Sequence, residues 1–586
     1  MQFPTPTSST ALPPGLDGFE TLTQGLDHAA RGETGFNYYN VRRQLVTRLP
    51  YAELRERALS AARRMLRLGL RRGARVALIA ETSPDFHTLF FGCQYAGLVP
   101  VPLPLPVNLG GREAYVRQLR RMVGAAGAAA AFAPAELVEM LQEAAEPLGL
   151  AFLGAPDALS AQPEGGDPRP LEKHEPCYIQ YSSGSTSAPK GVVVTQRAAT
   201  ANAHGIIRHG LQVRPGDRCV SWLPLYHDMG LVGFCIAPML SQLSVDYLAT
   251  LDFARRPLLW LQLMAANGGT ISFSPSFGYD LCARRAASGA APALDLSAWR
   301  VAGIGGDMVR PDVLARFAET FAPNGFRRTA FVPSYGLAEA TLAVSFAPLD
   351  RGFEADAVDR EALASRGEAI PVGTDAPPDR ARAFVLCGRP MPGHELSICD
   401  ALGRPLPERR VGRVLIRGPS VMAGYFEDPE ATAAALSPEG WLDTGDLGYR
   451  VDGALVITGR SKDLIIHNGR NIWPQDIEWA IERLPGLRQG DAAAFAVTGA
   501  DGGEAVVAVV QCRLSDPGAR ERLRHQIAAT VRSTAGIDCE VVLAPPHSLP
   551  LTSSGKLSRA ATRANYLSGR YAAPPHSPPA KLAAEG

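Results

Sequence analysis

Along most of the chain, short β-branched apolar runs alternate with longer stretches of helical spacing. Residues 75–80, Arg-Val-Ala-Leu-Ile-Ala, read as a buried strand. Residues 51–70 repeat apolar positions at helical intervals and end beside a glycine, which predicts a helix over that range. Residues 414–418 and 454–459 are further short strands followed by turn residues. Such alternation predicts a layered α/β architecture. After Gly459, the tetrapeptide Arg460-Ser461-Lys462-Asp463 precedes a fresh α/β pattern, which places a domain boundary there. The predicted division is a flexible lead-in at 1–18, a large domain at 19–459, a hinge at 460–463, a small domain at 464–568 and a flexible tail at 569–586. Residues 348–382 are rich in Asp, Arg, Ala, Gly and Pro with little apolar periodicity. They predict a long inserted loop, of the kind that is functional or disordered.

Composition narrows the class. The chain has 586 residues, 46% hydrophobic and 20% charged, which is ordinary for a globular protein with a sizeable core. Lys+Arg 59 against Asp+Glu 58 leaves +1, so no broad field for nucleic acid or anionic membrane is expected. Nine scattered cysteines without a C-x-x-C pair argue against a disulfide framework or a zinc site. The longest weakly apolar runs, 122–134 and 231–240, are shorter than the ~20 residues a membrane helix needs. The first residues lack the basic and apolar pattern of a secretory signal, so a cytoplasmic protein is expected. Only five of the 59 basic residues are lysines: Lys173, Lys190, Lys462, Lys556 and Lys581. In so arginine-biased a chain, a retained lysine marks a place where a compact ammonium and a planar guanidinium are not interchangeable.

Two of those lysines, Lys190 and Lys556, fall in segments with chemical promise, and Lys462 falls in the tetrapeptide at the domain boundary. Tyr181-Ser182-Ser183-Gly184-Ser185-Thr186-Ser187-Ala188-Pro189-Lys190-Gly191 packs hydroxyls, glycines and one cation densely enough to surround a polyphosphate, although a plain Ser/Gly surface loop is an equal reading. It is not a Walker-type loop. Ser334-Tyr335-Gly336-Leu337-Ala338-Glu339-Ala340-Thr341 offers a ring for a base and a carboxylate for Mg²⁺, or simply a buried helix start. Asp443-Thr444-Gly445-Asp446 holds paired acids that serve either a tight turn or the hydroxyls of a ribose. Thr552-Ser553-Ser554-Gly555-Lys556 sets a lysine in a small loop, where a mobile ammonium neutralises charge in a transition state unless it is merely exposed. Gly303-Ile304-Gly305-Gly306-Asp307-Met308 fails the dinucleotide-binding pattern, and neither G-x-S-x-G nor H-E-x-x-H occurs. His227, beside Asp228, is the histidine to single out, against the commoner structural role.

Taken together and in this order, these segments resemble the adenylate-forming superfamily of acyl-CoA synthetases, peptide-synthetase adenylation domains and luciferases, from about Tyr38 to Tyr566. Trp222-Leu223-Pro224-Leu225-Tyr226-His227-Asp228-Met229-Gly230-Leu231 is similar in particular to the fatty acyl-AMP ligases. So are Ala338 before Glu339, the run from Gly459 to Glu478, and the extra segment at 348–382. In that family the insertion braces the C-terminal domain and hinders the rotation that CoA thioesterification needs.

The resemblance implies an α/β adenylate-forming fold: a large N-terminal domain of mixed sheets flanked by helices, plus a small mobile α/β C-terminal lid. It implies that ATP and a fatty acid give acyl-adenylate and pyrophosphate, and that the acyl group passes to the phosphopantetheine thiol of a holo acyl carrier protein. ATP and Mg²⁺ are the implied cofactors. Ser182, Ser183, Gly184, Ser185, Thr186 and Lys190 match the phosphate loop, and Tyr335 and Gly336 the adenine turn, with Gly305 and Gly306 on the opposite wall. Glu339 matches the Mg²⁺ carboxylate, Asp446 the ribose aspartate and Arg460 a ribose and phosphate contact. Lys556 matches the catalytic lysine, Lys462 the hinge, and His227 the motif bordering the acyl and pyrophosphate sites. Two departures stand out: Ala338 lacks the usual hydroxyl, and Gly305-Gly306-Asp307-Met308 stands where Gly-Ala-Glu-Pro is commoner. A fatty acyl-CoA ligase and a non-catalytic nucleotide-binding relative are the alternatives.

Overall fold

Strands of small and β-branched residues such as Val301–Ile304 and Ile271–Ser274 are buried almost along their whole length, as strands covered on both faces require. The computed structural model describes residues 18–106, 111–181, 190–289, 293–373, 376–377, 380–467, 470–498, 504–552 and 556–571. These residues form two compact units, one ending at Ser461 and the other beginning at Lys462.

The spine of the larger unit is a nine-stranded sheet. Phe331–Gly336, Val301–Ile304, Ile271–Ser274, Arg218–Ser221, Ser244–Leu248 and Gly35–Tyr39 run parallel in that order. Antiparallel strands close both edges, Leu45–Pro50 at one end and Ala343–Phe346 with Arg389–Pro390 at the other. A second, parallel sheet is built from Val99–Leu103, Arg75–Ile79, Ala128–Phe132 and Phe152–Gly154. Helix Tyr51–Arg67 lays Leu54, Ala58, Ala61, Ala62 and Met65 into the core. It ends sooner than its spacing predicts, because the chain turns through Leu68 and the left-handed Gly69 (φ +70°). The expected short strands are Gly412–Arg417 and Ala454–Arg460, inside a four-stranded antiparallel sheet with Glu395–Cys399 and Leu442–Val451. The smaller unit packs helices Pro474–Glu482 and Pro517–Ala535 on the mixed sheet Ala492–Thr498, Glu504–Gln511 and Glu540–Ala544. This is the mixed-sheet α/β arrangement that the sequence resemblance implied. No helix among the described residues is long and apolar enough to cross a membrane.

The inserted segment corrects the expectation of a loop. Ala355–Asp359 pairs antiparallel with Ala381–Val385, and helix Arg360–Arg366 follows the first strand. Val358, Ala362, Leu363 and Phe384 are buried, too few and too spaced to give a periodic signal. Polar anchors do the rest: Asp356 accepts from the Tyr449 hydroxyl at 2.8 Å and pairs with Arg409 at 3.1 Å, and Glu368 pairs with Arg410.

A buried aromatic cluster joins the N-terminal strand to this sheet. His87 Nδ1 lies 2.9 Å from the Tyr38 hydroxyl and 2.9 Å from Ser83 O, and Nε2 lies 3.3 Å from the Tyr247 hydroxyl. Burial lowers the His87 pKa from 6.5 to about 4. The unfolded chain therefore takes up a proton between these values that the folded chain refuses. Stability present above pH 6.5 falls as pH drops toward 4, by about 1.4 kcal/mol per unit, and falls no further for this group below that. Denaturant midpoints at pH 7 and pH 5 should differ less in His87→Gln than in wild type; an equal difference would refute the assignment.

Candidate active site

The strand Phe331–Gly336 carries Tyr335 and Gly336 at its C-terminal end, the end where ligands bind in open parallel sheets. The chain then makes a 3₁₀ turn, Ala338–Ala340, and returns as Ala343–Phe346, so the predicted helix start is instead a strand end and a turn. Gly336 is obligatory there: a Cβ would stand 1.8 Å from Leu342 O. At Thr341 (φ 70°, ψ −56°), Leu342 N–H donates to Ala340 O at 2.8 Å, closing a three-residue γ-turn. Such a backbone costs on the order of 1–3 kcal/mol and marks functional sites. Gly305 and Gly306 follow the neighbouring strand Val301–Ile304; a Cβ on Gly305 would meet Ser334 Oγ at 2.8 Å, and Gly306 has φ +80°. Asp307 turns the other way, its Oδ1 accepting from Ser276 N at 3.3 Å at the start of a helix.

The paired acids divide their work. Asp443 Oδ1 accepts from Gly445 N at 3.0 Å, which is turn chemistry. Asp446 is buried, and its Oδ2 accepts from the Tyr335 hydroxyl at 2.7 Å while Oδ1 lies 3.4 Å from Arg460 Nε. Burial, and then the Asp446 charge, push the Tyr335 phenol well above its usual pKa, so it stays a hydrogen-bond donor.

Glu339 Oε1 accepts from the Tyr425 hydroxyl at 2.9 Å, and the Lys190 ammonium sits 4.7 Å from the centre of the Tyr425 ring. His227 Nδ1 is 3.1 Å from Asp228 Oδ1, which also accepts from Met229 N at 2.7 Å. Ser182, Ser183, Gly184, Ser185 and Thr186 lie outside the described residues.

Beside Tyr335, Gly336 and Gly306 opens a pocket that is in part continuous with solvent. Its wall is apolar, including Ile206, Met229, Phe234, Phe273, Leu342 and Phe346, and among the described residues Asp228 is the one charged side chain that lines it. Two π-helical turns, Ile206–Gly210 and Val232–Ile236, contribute to it. The Phe234 carbonyl in the second has no helical donor, since the residue four on is Pro238, which has no N–H to give. The Phe234 carbonyl accepts from the buried Tyr247 hydroxyl at 2.6 Å.

In the smaller unit, Lys556 and Thr552 are tied to each other: Thr552 N–H donates to Lys556 O at 2.7 Å, and Lys556 N–H to Thr552 Oγ1 at 3.2 Å. Arg559 secures that segment with Glu478 (2.6 Å) and Asp463 (2.9 Å). Lys462 lies in the turn Ser461–Asp463.

Sequence reasoning missed Tyr425, Arg559 and the cavity wall. The Gly-Tyr pair at 424–425 is a weak signal for the first. Arg559 is one arginine among many, and the wall comes from segments spread between residues 206 and 346.

A glycine-walled tyrosine at the end of a parallel strand thus meets a carboxylate–arginine pair from the neighbouring antiparallel sheet, an arrangement with the chemistry to receive a nucleoside. The chain belongs to the AMP-binding enzyme family, whose model matches residues 34–426, within the adenylate-forming superfamily. It is an ATP-dependent adenylate-forming ligase. It is 50% identical over 97% of its length to a Caulobacter vibrioides protein provisionally named an acyl-CoA synthetase, covering 98% of that protein. It is 33% identical to JamA of Moorena producens, a medium-chain-fatty-acid–[acyl-carrier-protein] ligase, over 94% of this chain and 95% of that one. A solved structure from work on fatty acyl-adenylate ligases of E. coli and L. pneumophila superposes with TM-score 0.89 at 44% identity, covering 95% of this chain and 99% of that one.

Proposed function

We propose that the protein is a fatty acyl-AMP ligase, and the observation that carries this reading is the apolar cavity opening beside Tyr335, Gly336 and Gly306. An unbranched acyl chain suits a wall of that chemistry, with its carboxylate left at the polar mouth. A carboxylate oxygen attacks the α-phosphorus of ATP, the bond to pyrophosphate breaks, and acyl-AMP forms. A thiolate then attacks the acyl carbon and AMP leaves.

Tyr335 and Gly336, with Gly305 and Gly306, take the adenine. Asp446 accepts from the ribose hydroxyls, assisted by Arg460. Lys190 and the loop 182–186 take the β- and γ-phosphates. Lys556 bridges the acyl carboxylate and the α-phosphate, Lys462 serves as the hinge, and His227 with Asp228 borders the acyl and pyrophosphate sites. A lone carboxylate next to a phosphate-binding lysine fits Mg²⁺, which takes few protein ligands, and Glu339 would hold it. Bound there, the ion would neutralise phosphate charge.

The acceptor is the thiol of a holo acyl carrier protein, supported by the likeness to JamA and to the fatty acyl-adenylate ligase structure. The name of the Caulobacter relative favours a second reading, in which free CoA is the acceptor. Mass spectrometry of the protein with ATP, Mg²⁺ and a fatty-acid panel, run with CoA and with holo carrier protein, separates them. Acyl-AMP and acyl-carrier product without acyl-CoA is the expected result; abundant acyl-CoA would reverse the assignment.

A further inference from the structure

Residues 420–426 tie together two parts of the site that are far apart in sequence. On one side they pair with the strand Gly191–Thr195: Tyr425 stands in register with Val192, and Phe426 N–H donates to Gly191 O at 2.7 Å. On the other side they hold the turn around Glu339. Met422 N–H donates to Glu339 O at 2.8 Å, the Thr341 hydroxyl to Ser420 O at 2.7 Å, and the Tyr425 hydroxyl to Glu339 Oε1 at 2.9 Å. Lys190 meets the face of the same tyrosine, 4.7 Å from its centre.

A lysine and a glutamate this close to one side chain attract each other. If they closed into an ion pair, each would be spent on the other. Among the described residues no direct Lys190–Glu339 ion pair forms; the aromatic face meets the cation and the hydroxyl meets the carboxylate. We propose that Tyr425 is a positioning residue that keeps the Lys190 ammonium and the Glu339 carboxylate apart, leaving the first for a polyphosphate anion and the second for a divalent cation. This rests on the ATP-dependent reading of the site.

Calorimetry of the full-length protein with ATP, in the presence of Mg²⁺ or of a chelator and without fatty acid, tests it. Tyr425→Phe keeps the ring and loses the hydroxyl. It should weaken MgATP binding about tenfold, weaken metal-free ATP binding much less because the ring still faces the ammonium, and add little to the loss caused by Glu339→Gln. Tyr425→Leu also loses the ring, so it should weaken metal-free ATP binding as well, and that extra loss should vanish beside Lys190→Met. A merely structural tyrosine would lower thermal stability without this split between metal-bound and metal-free nucleotide. Both variants binding MgATP within about twofold of wild type, or losses unchanged by Glu339→Gln, would overturn the proposal. If Tyr425→Leu fails to fold, Tyr425→Phe carries the test alone. Wild type that binds no ATP would instead sink the functional reading itself, before any variant is compared.

Discussion

Lys556→Ala is expected to lower fatty-acid-dependent pyrophosphate release by about 10²–10³-fold while leaving MgATP binding close to wild type, since removing one preorganised donor costs roughly 2.7–4 kcal/mol of transition-state stabilisation. The argument is one of place. Tyr335, Glu339, Asp446 and Lys190 belong to the larger unit, and Lys556 belongs to the smaller one. On the proposed reading it meets the two anions as they react, rather than the nucleotide as it binds. Alanine keeps the backbone ties to Thr552, and Arg559 still anchors the loop base through Glu478 and Asp463. Lost turnover would thus reflect a lost ammonium rather than a lost loop. Lys556→Arg separates charge from shape: a planar fork in place of a compact ammonium should restore little activity. Near-normal pyrophosphate release from the alanine variant would refute the assignment.

Asp446→Ala is expected to weaken MgATP binding by about 10²-fold, because a carboxylate that accepts from two hydroxyls makes charge-assisted bonds worth ~1.5–3 kcal/mol each. It carries a second cost. The buried Tyr335 hydroxyl loses the charged acceptor it now holds at 2.7 Å, and Arg460 loses the carboxylate 3.4 Å away. Losing a hydrogen bond to a charged acceptor costs about 1.5–3 kcal/mol, so unfolding should shift as well. Tyr335→Phe tells the two costs apart. It removes the hydroxyl and spares the carboxylate, so it should bind MgATP far better than Asp446→Ala. Equal losses in the two variants would mean that Asp446 acts only by holding the tyrosine.

The parts of this molecule that were legible in the sequence are those whose chemistry is local. Tyr335-Gly336 and Asp446, which the fold brings into contact, each sit in a short run of unusual composition, and a run can be read without knowing what it faces. The layered α/β arrangement was legible for a similar reason, since a strand covered on both faces writes an uninterrupted apolar run. What was hidden depends on contacts across the fold. The sequence offered two aspartates three residues apart; only geometry separates Asp443, closing its own turn, from Asp446, facing Tyr335. The insertion looked like a loop because a few buried side chains and the ion pairs of Asp356 and Glu368 hold it, and neither leaves a periodic trace. The cavity was invisible because its wall is gathered from several helices and strands. One part of it had a local sign, the proline at 238 that removes a helical donor from the turn beside Phe234.

The place of the first parallel strand also bears on how the chain is made. Phe36 pairs with Val245 and Tyr39 with Leu248, so Gly35–Tyr39 has no sheet to join until some 200 residues more have been synthesised. At ~5–20 residues per second on the ribosome, that wait lasts roughly 10–40 s. Through it the emerging N-terminal hairpin presents Phe36, Tyr38 and Leu49, all buried in the finished protein, to the crowded space around the tunnel exit. Chaperone demand during synthesis should therefore concentrate on the first fifty residues, and should end when Ser244–Leu248 appears.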